Sequence, residues 1–215
     1  MDRLKVLVGA YRKWAVEASE YLTCDVVIAK TPEELVEKFT TEDPDIIFLI
    51  GWSWIVPADI HDKITTFCFH PSDLPAYRGG SPLQHQIIDG IKQTKATMFI
   101  VDNTLDHGDI VSKCDLSLEG NISDIQDRMK IISGMMMRDI VEKYPDIDVI
   151  EQDKLFAIRK RRTPEESEIH PTDFFKNTAE DLYNKIRALG DPYPNAFVKC
   201  QDGKKLYFKE VSIGT

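Results

Sequence analysis

Three short, nearly continuous apolar runs open the chain: Lys5 to Gly9 (KVLVG), Asp25 to Ala29 (DVVIA) and Ile46 to Ile50 (IIFLI). Runs of this length, rich in β-branched residues and without polar alternation, are what strands covered on both faces require. Helical segments separate them. One covers Lys13 to Leu22, and another opens at Thr31-Pro32-Glu33-Glu34, where a capping box coincides with proline at the first helical position. The alternation predicts a buried parallel sheet. A fourth strand is expected at Thr65 to Phe69, leading into a Pro/Gly-rich loop and a helix near Pro82 to Ile88. Further strands, at about Lys95 to Asp102 and Ile110 to Leu116, flank the loop Asn103 to Asp109. Ile125, Met129, Ile132, Met136 and Ile140 recur on one face of a long helix, Ser123 to Tyr144, opened by Ser123 and Gln126 at capping-box spacing. Met135-Met136-Met137 on this helix reads as core packing.

The pattern changes after Pro145. A strand-like stretch from Asp148 to Arg159 gives way to a polar segment, a helix capped by Thr178 with Asp181, and a hairpin from Ala196 to Val211 around Asp202-Gly203. The expected fold is therefore α/β: a Rossmann-like, mostly parallel sheet flanked by helices, with a small C-terminal helix and β-hairpin appendage. The expected division is a main core over 1–150 and an extension over 151–215 that packs on it, since no Gly/Ser linker separates the two.

Composition narrows the function classes. With 42% hydrophobic and 29% charged residues, the 215-residue chain is globular rather than disordered or fibrous. The 27 basic and 36 acidic side chains give a net charge of −9, which argues against broad nucleic-acid binding. An anionic ligand must then meet a local basic run, Arg12-Lys13 or Arg159 to Arg162. No apolar run reaches bilayer length and the start, MDRLK, lacks a signal peptide's apolar core, so a cytoplasmic protein without a membrane partner is expected. Cys24, Cys68, Cys114 and Cys200 show no paired spacing and read as reduced thiols, with no metal site.

Ligands of open parallel sheets sit beyond the carboxyl ends of the strands. Three strand-end clusters qualify. Arg12 and Lys13, where the first strand turns into a helix, could cradle a diphosphate. The loop FCFHPSDLPAYRGGSPLQ, Phe67 to Gln84, puts His70 on a rigid strand end. The loop NTLDHGD, Asn103 to Asp109, adds carboxylates from a neighbouring strand. A histidine and a carboxylate brought together there form a base and its orienter.

His70-Pro71-Ser72-Asp73-Leu74-Pro75, Tyr77-Arg78-Gly79-Gly80-Ser81-Pro82-Leu83-Gln84 and Leu105-Asp106-His107-Gly108-Asp109 together resemble the folate-dependent formyltransferases. The 36-residue separation of His70 and Asp106 matches that family's spacing. Gly51 to Pro57 and Arg159 to Ile169 look like elements of its sugar N-formyltransferase branch. The resemblance implies transfer of formyl from N10-formyltetrahydrofolate to the amino group of a nucleotide-linked dideoxy amino sugar, the nucleotide being dTDP, GDP or UDP. It implies that His70 takes the amine's proton or polarises the formyl oxygen and that Asp106 orients His70. Ser53, Trp54, Ile55, Asp102, Asn103 and Leu105 would meet the pterin, and Arg12, Lys13 and Arg78 the diphosphate. No nucleic-acid or membrane partner is expected, and a homodimer is compatible with the resemblance.

Methionyl-tRNA formyltransferase is the first alternative, set aside because it is longer and carries an RNA-binding domain; glycinamide ribonucleotide formyltransferase is the second. The third is a catalytically silent binding protein. It is raised by one departure: the family's Asn-x-His reads Cys68-Phe69-His70 here. The amide that would hold the oxyanion is missing, leaving His70, backbone N–H groups or Asn103 for that work, with Cys68 as a buried space-filler.

Overall fold

The computed structural model describes residues 4–152, 157–191 and 193–214. A six-stranded sheet forms its centre, built from β1 (Lys5–Gly9), β2 (Asp25–Ala29), β3 (Ile46–Leu49), β4 (Thr66–His70), β5 (Gln93–Ile100) and β6 (Ile110–Ser117) in the order β2-β1-β3-β4-β5-β6. The first four strands are parallel, and β5 and β6 add an antiparallel edge. All four residues of β3 are buried, as a continuous apolar run at the centre of a covered sheet requires. The Rossmann-like expectation holds, with β5 reversed against β4 and β6, joined to β5 by a loop too short for a crossover, reversed again.

Helices α1 (Lys13–Ala18) and α5 (Ile122–Lys143) cover one face, with α4 (Pro82–Ile88), while α2 (Pro32–Glu42) and α3 (Ala58–His61) cover the other. At α2 the Thr31 hydroxyl accepts the Glu34 N–H at 3.2 Å, but the Glu34 carboxylate reaches back to the Lys30 N–H rather than that of Thr31. The cap of α5 is two residues earlier than the sequence suggests, a reciprocal box between Asn121 and Asp124. Met136 and Met137 are buried in the core and Met135 is exposed, so only two of the three pack inside. The first helix is shorter than expected because a 3₁₀ turn, Ser19–Tyr21, tightens its end.

Beyond α5, Ile150 pairs with Ile110 and Arg159 with Gly79 as isolated bridges. The intervening 153–156 of the expected strand lie outside the described residues. Two short helices, α6 (Asp173–Lys176) and α7 (Ala179–Arg187), precede a hairpin of β7 (Ala196–Lys199) and β8 (Lys205–Phe208). The Thr178–Asp181 cap of α7 is present. Gly203, at φ +80°, sits in a connection over 200–204 that is longer than a two-residue turn. Ile169, Ile186, Leu189 and Ala196 form this part's small core.

Gly134 lets the 3₁₀ turn approach α5. A Cβ there would lie 2.5 Å from the Tyr21 ring and 3.0 Å from the Ala18 carbonyl oxygen. Gly134→Ala should therefore lower stability by about 1 to 3 kcal/mol through overpacking, despite the better helix propensity of alanine. Urea unfolding checks this, and an unchanged midpoint would contradict the packing.

Candidate active site

The pleat of β4 decides what faces the site. Phe67 and Phe69 point into the core beneath α1 and α5, where Phe67 stacks on Phe48 with ring centroids 5.2 Å apart. Cys68 and His70 therefore point to the opposite face. Cys68 packs among Leu49, Leu74 and Phe99. Burial pushes its thiol well above the usual range and the Asp106 charge adds to this, so it stays protonated at neutral pH.

His70 is the last residue of β4 and is buried. Its Nε2 lies 3.1 Å from the Tyr77 carbonyl oxygen, which only accepts, so the network assigns the ring proton to Nε2 and leaves the Nδ1 lone pair open. Asp106 Oδ2 is 3.6 Å from Nδ1, beyond hydrogen-bond range, and accepts the Gly79 N–H at 3.0 Å. Tyr77 thus sets the ring's orientation. Asp106 supplies a negative charge ready to pair with Nδ1 once it takes a proton.

Both loops are held in unusual backbone. Tyr77, Ser81 and Asp106 are left-handed at φ 56°, 52° and 48°. Such residues cost on the order of 1–3 kcal/mol each and persist only where their surroundings over-determine them. A buried network does so on one side: Ser72 donates to the Ala76 carbonyl at 2.7 Å and Thr97 to the Ser72 carbonyl at 2.7 Å, while Gln86 holds the Pro71 carbonyl at 2.7 Å. Arg78, also buried, donates to the Leu105 carbonyl at 2.9 Å and ties one loop to the other.

The other side is held by the segment leading out of the core. The Arg159 N–H donates to the Arg78 carbonyl at 2.7 Å, and the Arg159 carbonyl accepts from the Gly80 N–H at 2.9 Å. A Cβ at Gly79 would strike the Arg159 carbonyl oxygen, and one at Gly80 the Arg161 backbone. The double glycine exists for this approach. Sequence reading placed the basic run in the ligand's path by charge alone; the signal of its docking was the glycine pair.

The remaining candidates divide. Arg161 donates to the Ser53 carbonyl at 3.3 Å, and the Ser53 hydroxyl bonds that of Tyr11 at 2.8 Å. Trp54 packs on Tyr11 and Trp52 at 4.7 and 4.9 Å, remaining 43% exposed, while Ile55 is 87% exposed. Leu105 is half exposed. Trp54 and Ile55 make an apolar rim linked through Arg161 to the His70 loop, and Leu105 is tied to the same loop through Arg78. Asp102 caps its own turn through the Thr104 N–H at 2.7 Å, and Asn103 is exposed at the same turn. Arg12 is held between the rings of Tyr11 and Tyr193, at 5.0 and 5.1 Å, and Lys13 faces Glu17 at 3.7 Å in solvent. Among the described residues no group of three or more His, Cys, Asp or Glu is placed to hold a metal, and no helix is long and apolar enough to cross a membrane.

Comparison with known proteins corrects the expected acceptor. Methionyl-tRNA formyltransferase from Clostridium thermocellum has a structure with a TM-score of 0.88 and 34% identity, covering 98% of this chain and 94% of that one. Methionyl-tRNA formyltransferase from Finegoldia magna is 27% identical over 94% of this chain and 65% of its own length. A 4-N formyltransferase from Francisella tularensis shares the fold, with a TM-score of 0.76, at 16% identity over 99% of both chains. The chain spans about half to two thirds of the length of the curated relatives it matches. The expectations of a nucleotide-linked amino sugar and of no nucleic-acid partner do not stand against these relatives. Summing charge over the whole chain misled: residues 1–152 hold 15 basic and 26 acidic side chains, but 153–215 hold 12 and 10. The formyl transferase family matches over residues 24–139 and its C-terminal domain over 162–215, so the chain belongs to the formyl transferase family, whose donor is N10-formyltetrahydrofolate.

Proposed function

We propose that this chain transfers formyl to the amino group of methionyl-tRNA. The observation that carries the reading is the 34% identity, over nearly the full length of both chains, with a methionyl-tRNA formyltransferase structure. The reversal of charge balance toward the C-terminal part supports it, because a polyanion is met there by net positive charge. In this reading the core over 1–150 does the chemistry and the extension over 151–215 meets the RNA.

The donor fits the residues present. A flat pterin needs an apolar face and backbone groups at its edge, and the exposed Trp54, Ile55 and Leu105 with the backbone of Asp102 to Leu105 provide both. When bound, N10-formyltetrahydrofolate supplies the activated formyl carbon. His70 Nδ1 accepts the proton that the attacking amine loses, and Asp106, fixed by the Gly79 N–H, stabilises the resulting imidazolium. Cys68 offers only a weak donor, so negative charge on the formyl oxygen is met by other groups at the site. Arg12, between two aromatic rings, braces the Tyr11–Ser53 contact.

The deciding experiment presents the purified chain with N10-formyltetrahydrofolate and either methionyl-tRNA or a panel of nucleotide-linked amino sugars, scored by product mass. Formyl should appear on methionyl-tRNA; transfer to a sugar alone would reject the reading.

His70→Ala and Asp106→Asn should each lower kcat by about 100-fold or more, and the double variant by far less than the product, since the two act on one proton. Steady-state rates test this, and near-normal turnover in either single variant excludes the pair.

Cys68 should resist iodoacetamide at pH 8 while the exposed Cys114 and Cys200 react, because burial keeps it a thiol. Cys68→Ala should leave turnover nearly unchanged. Rapid labelling of Cys68, read by peptide mass, would show a more accessible and more acidic thiol than this packing allows.

A further inference from the structure

We infer that Gln152 is a positioning residue that holds Asp106 in place beside His70. Gln152 belongs neither to the sheet nor to either catalytic loop. It follows Ile150, whose backbone exchanges two 2.8 Å hydrogen bonds with Ile110 and so fixes where the next residues lie. From there its buried amide donates to the Gly108 carbonyl at 2.7 Å and to the Asp106 carbonyl at 3.3 Å. These two carbonyls lie at the C-terminal end of the Thr104–His107 turn in which Asp106 is left-handed.

The chemistry of the side chain separates this role from simple filling. Among the described residues Gln152 Oε1 is buried and has no hydrogen-bond partner, so an amide here carries a desolvated oxygen that an apolar side chain of similar volume would avoid. What only the amide provides is its two donations. They fix the Asp106 backbone, from which Oδ2 reaches the Gly79 N–H at 3.0 Å and stands 3.6 Å from His70 Nδ1. Displacing a charge by about 1 Å in a site of this kind costs as much as 100-fold in rate.

This inference rests on the proposed use of the His70–Asp106 pair in formyl transfer, and two independent readouts keep the two separable. Gln152→Leu, in the full chain, should lower kcat for methionyl-tRNA formylation by about 10- to 100-fold with both KM values within about twofold. In an Asp106→Asn background the same change should cost less than about twofold, because there is no carboxylate left to misplace. Independently of activity, amide hydrogen exchange by NMR should show the Gly79 N–H losing at least about tenfold in protection while Gly80, bonded to Arg159, keeps its own. Normal kcat with unchanged Gly79 protection overturns the inference. Equal loss at Gly79 and Gly80 also overturns it, since the loop has then come apart as a whole. If Asp106→Asn turns over normally, the reading of the pair fails, and the Gly79 exchange still decides what Gln152 holds.

Discussion

Two residues without side chains govern the catalytic end of this molecule. Because Gly79 and Gly80 lack Cβ atoms, the backbone of Arg159 to Arg161 lies directly on the loop after β4 and trades hydrogen bonds with Arg78 and Gly80. That contact sets the height of the Gly79 N–H, and the Gly79 N–H sets the Asp106 carboxylate. The main-chain ladder of β4 ends at His70. Past the strand end, side chains of β5 and α4 hold the first turn of the loop and loops gripping one another hold the rest, with Arg78 buried as the cross-tie to Leu105.

The consequence for proton chemistry is a division of labour. A backbone carbonyl, which never donates, occupies one nitrogen of His70 and leaves the other facing the Asp106 carboxylate. Asp106 is anchored by a different donor and is therefore not consumed by the ring at rest. In the proposed transfer it serves as a charge held at a distance, most valuable once the imidazole becomes a cation. Cys68 completes the face, packed against apolar clusters on either side, with burial and the Asp106 charge both favouring its thiol form.

How much of this was legible in the sequence follows from the range of the interactions. The apolar runs gave β1 to β4 to within a residue, because a strand buried on both faces has no freedom in composition. His70 and Asp106 were legible as strand-end residues in a family motif. The Tyr77 carbonyl, the Gln152 amide and the Arg159 backbone were not, since a main-chain group leaves no trace in residue type and partners 46 residues apart show no local pattern. The acceptor was misread for another reason. Net charge is a sum, and an acidic core concealed a tail of opposite balance.

The route of the outgoing segment bears on modularity. A chain divided by hydrophobic pattern separates near residue 150, yet Ile150, Gln152, Arg159 and Arg162 all bond to the loops that carry His70 and Asp106 or to strands beside them. An exchange of C-terminal parts between relatives would preserve the chemistry only if the donor piece began after Arg162. Recombination at the apparent boundary would import a foreign strap against a native glycine pair.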